Sequence, residues 1–439
     1  MRAPSTRTWA VVIIALAVVL MVGLQIVASV ARFPGPLGSL LNDYVGTPKS
    51  ATVPWVGLGV AMVGVPTRWR ISALATAVAV DALFTIERLL HTGIFAVGNG
   101  PMIVLTGLTL VVWWRWNGAQ RATALHGIAL GFLLIVATKI ADTWLDVTAI
   151  ARPRVLDEYV LLADHALAQP SWFVGRALDA AGPAAAGVLH WVYIELPLAA
   201  AVVAVYQLRN VTTDGWPRHY LVRTFLLLGL IGPVIYVVFP LVGPNYAFGI
   251  WGGNHELGLY WPHALPPLDM SPGPLAFDHT TPRNCMPSMH TAWALAVFIH
   301  SRRGPRWLRW GGAFWLVGTL AATLGFGYHY GVDLVAGAVL CVAVESVLRE
   351  PVAGRDRLRV PLVAGGAVLF TGLLVCCRYL APEMARHPWL FGPSIIGLLV
   401  VYCAAFHAAF FARSRITIRE SIASNLAVPL PNRLGTEYG

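Results

Sequence analysis

The chain is 439 residues long, with 57% hydrophobic and 12% charged residues, against roughly 25% charged in an average soluble domain. That balance excludes a conventional soluble enzyme, because a core of ordinary size cannot hide so much apolar surface, and it implies an integral membrane protein. The formal charge of +10 does not point to nucleic acid, since all but two of the 31 basic residues are Arg scattered between apolar runs rather than gathered into one patch.

Apolar windows predict an all-α polytopic protein of about twelve spans, over 9–31, 53–67, 71–90, 94–114, 122–149, 184–208, 219–243, 286–301, 308–326, 329–348, 360–380 and 390–412. The first window is too long for a cleaved signal peptide and reads as a retained helix. The spans divide into an N-terminal extension (1–121, about four spans), a six-span core (122–348) and a C-terminal extension with two spans and a short tail (349–439). Lys and Arg concentrate in the tails and the even-numbered loops, which predicts cytoplasmic termini. The high ratio of Arg to Lys and the richness in Ala, Val and Gly suit a bacterial plasma membrane.

Two loops on the predicted outer face are long. Residues 150–183 carry an amphipathic pattern (Val155, Leu156, Tyr159, Val160, Leu162, Ala163, Leu167) that predicts a helix lying on the membrane surface. Residues 244–283 hold seven prolines with Trp251, Tyr260 and Trp261, which predicts an irregular cap. Cys285, Cys341, Cys376, Cys377 and Cys403 form no metal-type spacing. His255, Glu256, His263, Asp269, Asp278 and His279 in the cap form none either.

Ionisable residues inside a membrane are costly, so each is a functional candidate. The densest set begins at Arg283-Asn284-Cys285-Met286-Pro287-Ser288-Met289-His290, where Pro287 and Ser288 suit a helix start. Two spans later the chain reads Gly327-Tyr328-His329-Tyr330-Gly331-Val332-Asp333. The 39 residues from His290 to His329 make about 58 Å of helix, roughly two crossings of a bilayer core, so both histidines return to the same outer level. His329 and Asp333, four apart, are expected to face one side of a helix. The carboxylate then accepts from one imidazole nitrogen and frees the other as a nucleophile or base.

The helix start at Ser288 offers unpaired N–H groups to a phosphate oxyanion, and His290 stands one turn in to protonate a leaving oxygen. The combination suits metal-free displacement at phosphorus through a phosphohistidine. Lys139, Asp142 and Asp146 on the fifth span read as an internally paired cluster. Asp81, Glu87 and Arg88, and His190 and Glu195, read as structural partners between helices.

Pro287-Ser288-Met289-His290 followed by His329-x-x-x-Asp333 resembles the second and third signature motifs of the type 2 phosphatidic acid phosphatase superfamily. With Met286 added to the first string, and the second extended from Gly327 through Leu334-Val335-Ala336-Gly337, the chain resembles the branch of inositol phosphorylceramide synthases and bacterial inositol phosphotransferase-like proteins. The resemblance covers about 122–348. It implies His329 as nucleophile, Asp333 as its orienting partner, His290 as general acid and Ser288 as a phosphate contact, with no cofactor and no metal. This chain has Met289 where the superfamily has Gly, Ala322 and Thr323 where it has Ser-Arg, and no clear match to the Lys and Arg of the first motif. A replacement cation is therefore expected, with Arg283 and Arg152 the first choices. The implied substrate is a lipid-linked phosphate among membrane lipids, possessing a phospho-headgroup such as phosphoinositol if the reaction is transfer. A lipid transporter and a non-catalytic scaffold of the same fold are the competing readings.

Overall fold

The computed structural model describes residues 6–249, 260–352 and 354–412. Eighteen α-helices lie among them. The N-terminal part holds α1 (Thr6–Ala31), α2 (Pro36–Tyr44), α3 (Thr52–Ala61), α4 (Thr67–His91), α5 (Asn99–Arg115) and α6 (Gly118–Ala151). Strand β1 (Arg154–Val155) and α7 (Asp157–Ala163) follow, then α8 (Pro170–Ile194), α9 (Leu196–Leu208), α10 (Val211–Asp214), α11 (Leu221–Val238) and α12 (Pro244–Phe248). Strand β2 (Leu275–Ala276) precedes α13 (Met289–Ser301), α14 (Arg306–Gly325) and α15 (Gly331–Leu348), and the C-terminal part holds α16 (Arg359–Tyr379), α17 (Ala381–Arg386) and α18 (Pro388–Phe410).

Five helices are long and apolar enough to cross a membrane, or seven if each of two bent pairs counts as one span, against about twelve expected from the apolar windows. The difference has identifiable causes. Helix α13 has only 13 residues, about 20 Å of rise against a hydrocarbon core of about 30 Å. Helix α4 is long enough but carries Arg68, Arg70, Asp81, Glu87 and Arg88. The pair α8 and α9 bends by 49° where Glu195 interrupts it. Helices α16 and α18 turn Val360, Val368, Val400 and Val401 outward, each more than half exposed, a disposition that suits hydrocarbon rather than water.

The loop over 150–183 differs from its expectation. Helix α7 does not lie on a surface: Val160, Leu161, Leu162 and Ala163 are all buried, in a cluster with Phe248, Trp261, Met286 and Tyr330. Strands β1 and β2 pair antiparallel and join this loop to the cap. His255, Glu256 and Trp251 lie outside the described residues, as do the arginines of the C-terminal tail.

Helix α6 is 34 residues long, about 51 Å, and joins the N-terminal helices to the core. Its Gly131 meets α3 so closely that an added Cβ would sit 2.3 Å from the Gly57 carbonyl oxygen. Small residues permit this approach of backbones, and van der Waals contact then fixes the pair. On the other side of the fold, a Cβ on Gly337 would fall 2.3 Å from the Ser288 carbonyl oxygen. Glycine at that position lets α15 press against the start of α13.

Buried polar groups hold the opposite end of the bundle. Glu345 on α15 accepts from His300 of α13 (2.8 Å), His219 (3.1 Å), Thr224 of α11 (2.6 Å) and Arg349 (2.8 and 3.0 Å). Gln207 of α9 donates to the other His300 nitrogen at 2.8 Å.

Candidate active site

Helix α15 starts at Gly331, so His329 lies in the turn before it and not on the helix itself. Asp333 is the third residue of that helix, and its Oδ2 accepts from the Tyr330 N–H at 2.8 Å, a capping contact that fixes the turn. The same oxygen receives the Cys285 thiol at 2.7 Å. His329 Nδ1 is 3.6 Å from it, while its close partner is the Cys285 carbonyl oxygen at 2.7 Å. A carbonyl can only accept, so Nδ1 carries the hydrogen and Nε2 presents a lone pair. The tautomer is thus set first by Cys285 and only secondarily by Asp333. Among the described residues Nε2 makes no hydrogen bond. Cys285 gave no sequence signal beyond its place one residue before Met286-Pro287.

His290 lies in the first turn of α13. Its ring stacks on Tyr193 with centroids 3.9 Å apart and meets the Trp293 edge at 5.7 Å. Both histidines line one cavity of about 440 Å³ with Asp142, Asn284, Tyr246 and Tyr328. Ser288 is fully buried and caps α13: its Oγ accepts the Thr291 N–H (3.3 Å) and the Thr291 hydroxyl (3.0 Å), while its own N–H reaches the Asp333 carbonyl (3.1 Å). It does not line the cavity, although Met289 and His290 do. The backbone N–H groups of these two residues find no acceptor among the described residues, as expected at the open end of a helix.

The two arginines chosen as phosphate ligands are placed elsewhere. Arg283 is fully buried, and its guanidinium donates to the carbonyls of Arg152, Thr281 and Asp278. It braces the cap, and none of its three nitrogens faces the cavity. Arg152 is exposed and its Nε donates to the Val237 carbonyl. No Arg or Lys is among the described residues lining the cavity. The described cation that comes near is Lys49, whose Nζ lies 3.0 Å from Oδ2 of the cavity residue Asp142. Lys139 pairs with Asp43 of α2 at 2.6 Å in a buried contact. Lys139 and Asp142 of α6 therefore pair with the N-terminal extension rather than with each other. Asp81 accepts from Trp55, Gly98 and Gly100, and Glu195 from Thr52.

Two triads bring donor atoms within 4.8 Å of one another: Cys285, His329 and Asp333, and His219, His300 and Glu345. In the first the thiol already donates to the carboxylate, and in the second Arg349 occupies Glu345, so each carboxylate has a partner where a metal ion would bind.

Two further carboxylates, outside the spans, hold the turn that carries His329. Asp157 accepts from Val242 and Gly243 N–H groups and from the Tyr330 hydroxyl at 2.9 Å, and Asp164 accepts from the Val332 N–H at 3.0 Å. Burial pushes their pKa values up, to about 6 for Asp157 and about 7 for Asp164. With the folded value above the unfolded one, the folded state binds more protons between them. The stabilisation is fully present below the unfolded pKa and is lost as pH rises through the folded values. Thermal unfolding is therefore expected to shift upward as pH falls from about 8 to about 5.5, and Asp164→Asn to flatten the slope by up to about 1 kcal/mol per pH unit. Parallel pH profiles for parent and variant would refute the assignment.

Comparison with known proteins adds two matches. Residues 159–346 match the family model described as PAP2 superfamily, and residues 7–147 match one described as Domain of unknown function (DUF5933). The first stretch contains Ser288, His290, His329 and Asp333; the second contains Lys49 and Asp142. No curated protein and no solved structure matches the chain.

Proposed function

We propose that this membrane protein transfers the phosphoryl group of a lipid-linked phosphate through a phosphohistidine. The observation that carries the proposal is the Cys285 carbonyl on His329 Nδ1, which leaves Nε2 as a lone pair in a cavity shared with His290. Nε2 forms a bond to phosphorus as the bond from phosphorus to the leaving oxygen breaks, and protonated His290 gives its proton to that oxygen. The phosphorylated imidazole gains positive charge, which the Cys285 carbonyl and the nearby Asp333 carboxylate stabilise. Water or an alcohol then attacks phosphorus and gives its proton to His290, restoring both histidines. The first-turn N–H groups of Met289 and His290 complement the phosphate charge, and Lys49 offsets the Asp142 carboxylate on the cavity wall so that an incoming phosphate does not meet it uncompensated. The N-terminal extension thereby neutralises a carboxylate at the site.

An alcohol acceptor makes the reaction a transfer, with a phospho-headgroup such as phosphoinositol passing between lipids; the aromatic, proline-rich cap favours this by limiting water. The distribution of basic residues supports a reading with both termini in a bacterial cytoplasm and this site at the outer face.

The test is turnover of phosphatidic acid by the purified chain, with and without an alcohol acceptor. Phosphate release, or phosphorylated acceptor, is expected, with a KM raised about tenfold in Lys49→Met and kcat changed much less. Absence of both products would sink the enzymatic reading in favour of a lipid transporter or scaffold.

A further inference from the structure

A second cavity, of about 180 Å³, adjoins the catalytic one and shares Thr138 and Trp293 with it. One wall is α3, through Val53 and Val56; the facing wall is α9 and α11, through Ala201 and Phe225. Among the described residues, Thr138 and Trp293, both at the junction, are the only lining side chains that carry a hydrogen-bonding atom. The combined space is therefore polar where the histidines stand and apolar beyond the junction. Its α3 wall is held in place by the backbone contact between Gly57 and Gly131.

We infer that the apolar groove holds a hydrocarbon chain of the phosphate-bearing lipid, and that α3 gives the N-terminal extension its part in choosing substrates by chain length. The inference rests on the phosphoryl-transfer reading and extends it to the lipid's tail. The occupant follows from continuity: a molecule with phosphate at His329 has its remainder directed to the junction, where only apolar walls continue. Lys49, which pairs with the cavity residue Asp142, lies three residues before α3 begins.

Filling the groove from each wall tests this. Val56→Trp and Ala201→Phe are expected to lower kcat/KM for dioleoyl phosphatidic acid by about tenfold or more, with dibutyryl phosphatidic acid turned over within about twofold of the parent. Equal losses on both lipids in both variants, or no loss on either, would overturn the groove. His329→Ala serves as the separate control. Parent-like turnover of both lipids by that variant removes the phosphoryl-transfer reading itself. An inactive His329→Ala beside groove variants of unchanged chain preference overturns the groove alone.

Discussion

His329→Ala is expected to lower turnover of a lipid phosphate by on the order of 10⁴ or more, the scale seen when a covalent nucleophile is removed. The variant retains the cavity, since the Tyr330 N–H still reaches Asp333 and Cys285 still donates to it. The loss is therefore chemical. His290→Ala is expected to fall by about 10² to 10⁴, the range for a general acid, and to do so selectively. With p-nitrophenyl phosphate, whose phenolate leaves without a proton, His290→Ala should recover most of its rate while His329→Ala stays inactive. The measurement is kcat/KM for both variants on both substrates. Equal deficits of His290→Ala on the two leaving groups would remove its acid role, and parent-like rates in His329→Ala would remove the phosphohistidine.

The second large effect is one of stability and lies at the other end of the bundle. Glu345 is fully buried and accepts from His219, Thr224, His300 and Arg349, which come from three separate stretches of the chain. Removing the carboxylate leaves the buried Arg349 guanidinium without its counter-charge, a loss of about 3 to 5 kcal/mol for a broken buried pair. Glu345→Ala is expected to unfold at markedly lower temperature in detergent. Glu345→Gln keeps one carbonyl acceptor, either for Thr224 and His300 or for Arg349 and His219, and should lose less. Identical melting of Glu345→Ala and parent would show that the network contributes nothing. Both variants leave the cavity residues in place, so turnover below the melting temperature should survive.

Much of the candidate site was readable in one dimension because helix geometry converts sequence spacing into height in a bilayer. The interval from His290 to His329 implied a common level, and both side chains line one cavity. The helix start at Ser288 was equally readable, since a serine N-cap satisfies a local N–H, and its Oγ accepts from Thr291 three residues on. Its role as phosphate contact did not follow from that start, because the side chain is buried outside the cavity lining.

Arg283 and Arg152 illustrate the limit. Sequence gives the side of the membrane on which an arginine lies but not the acceptors it meets, and the three carbonyls that close around Arg283 come from residues 5, 2 and 131 positions away. Span counting met a similar limit: the apolar windows mark helices, whereas crossing a bilayer also depends on where Gly182, Glu195 and the short α13 break or end them.

Composition and periodicity by themselves determined that this is a helical membrane protein, and local spacing determined which histidines and which carboxylate stand together. Those properties depend on contacts within a few turns or on transfer between water and hydrocarbon, which a single chain records residue by residue. Tertiary structure alone decided that the Cys285 carbonyl holds the His329 tautomer, that Lys49 of the N-terminal extension approaches the cavity, and that α3 forms the wall of an apolar groove beside it. Each of these joins groups far apart in sequence. The energy that pairs them comes from packing, as where Gly131 lets α6 meet Gly57 of α3, and packing leaves no periodic trace in the chain.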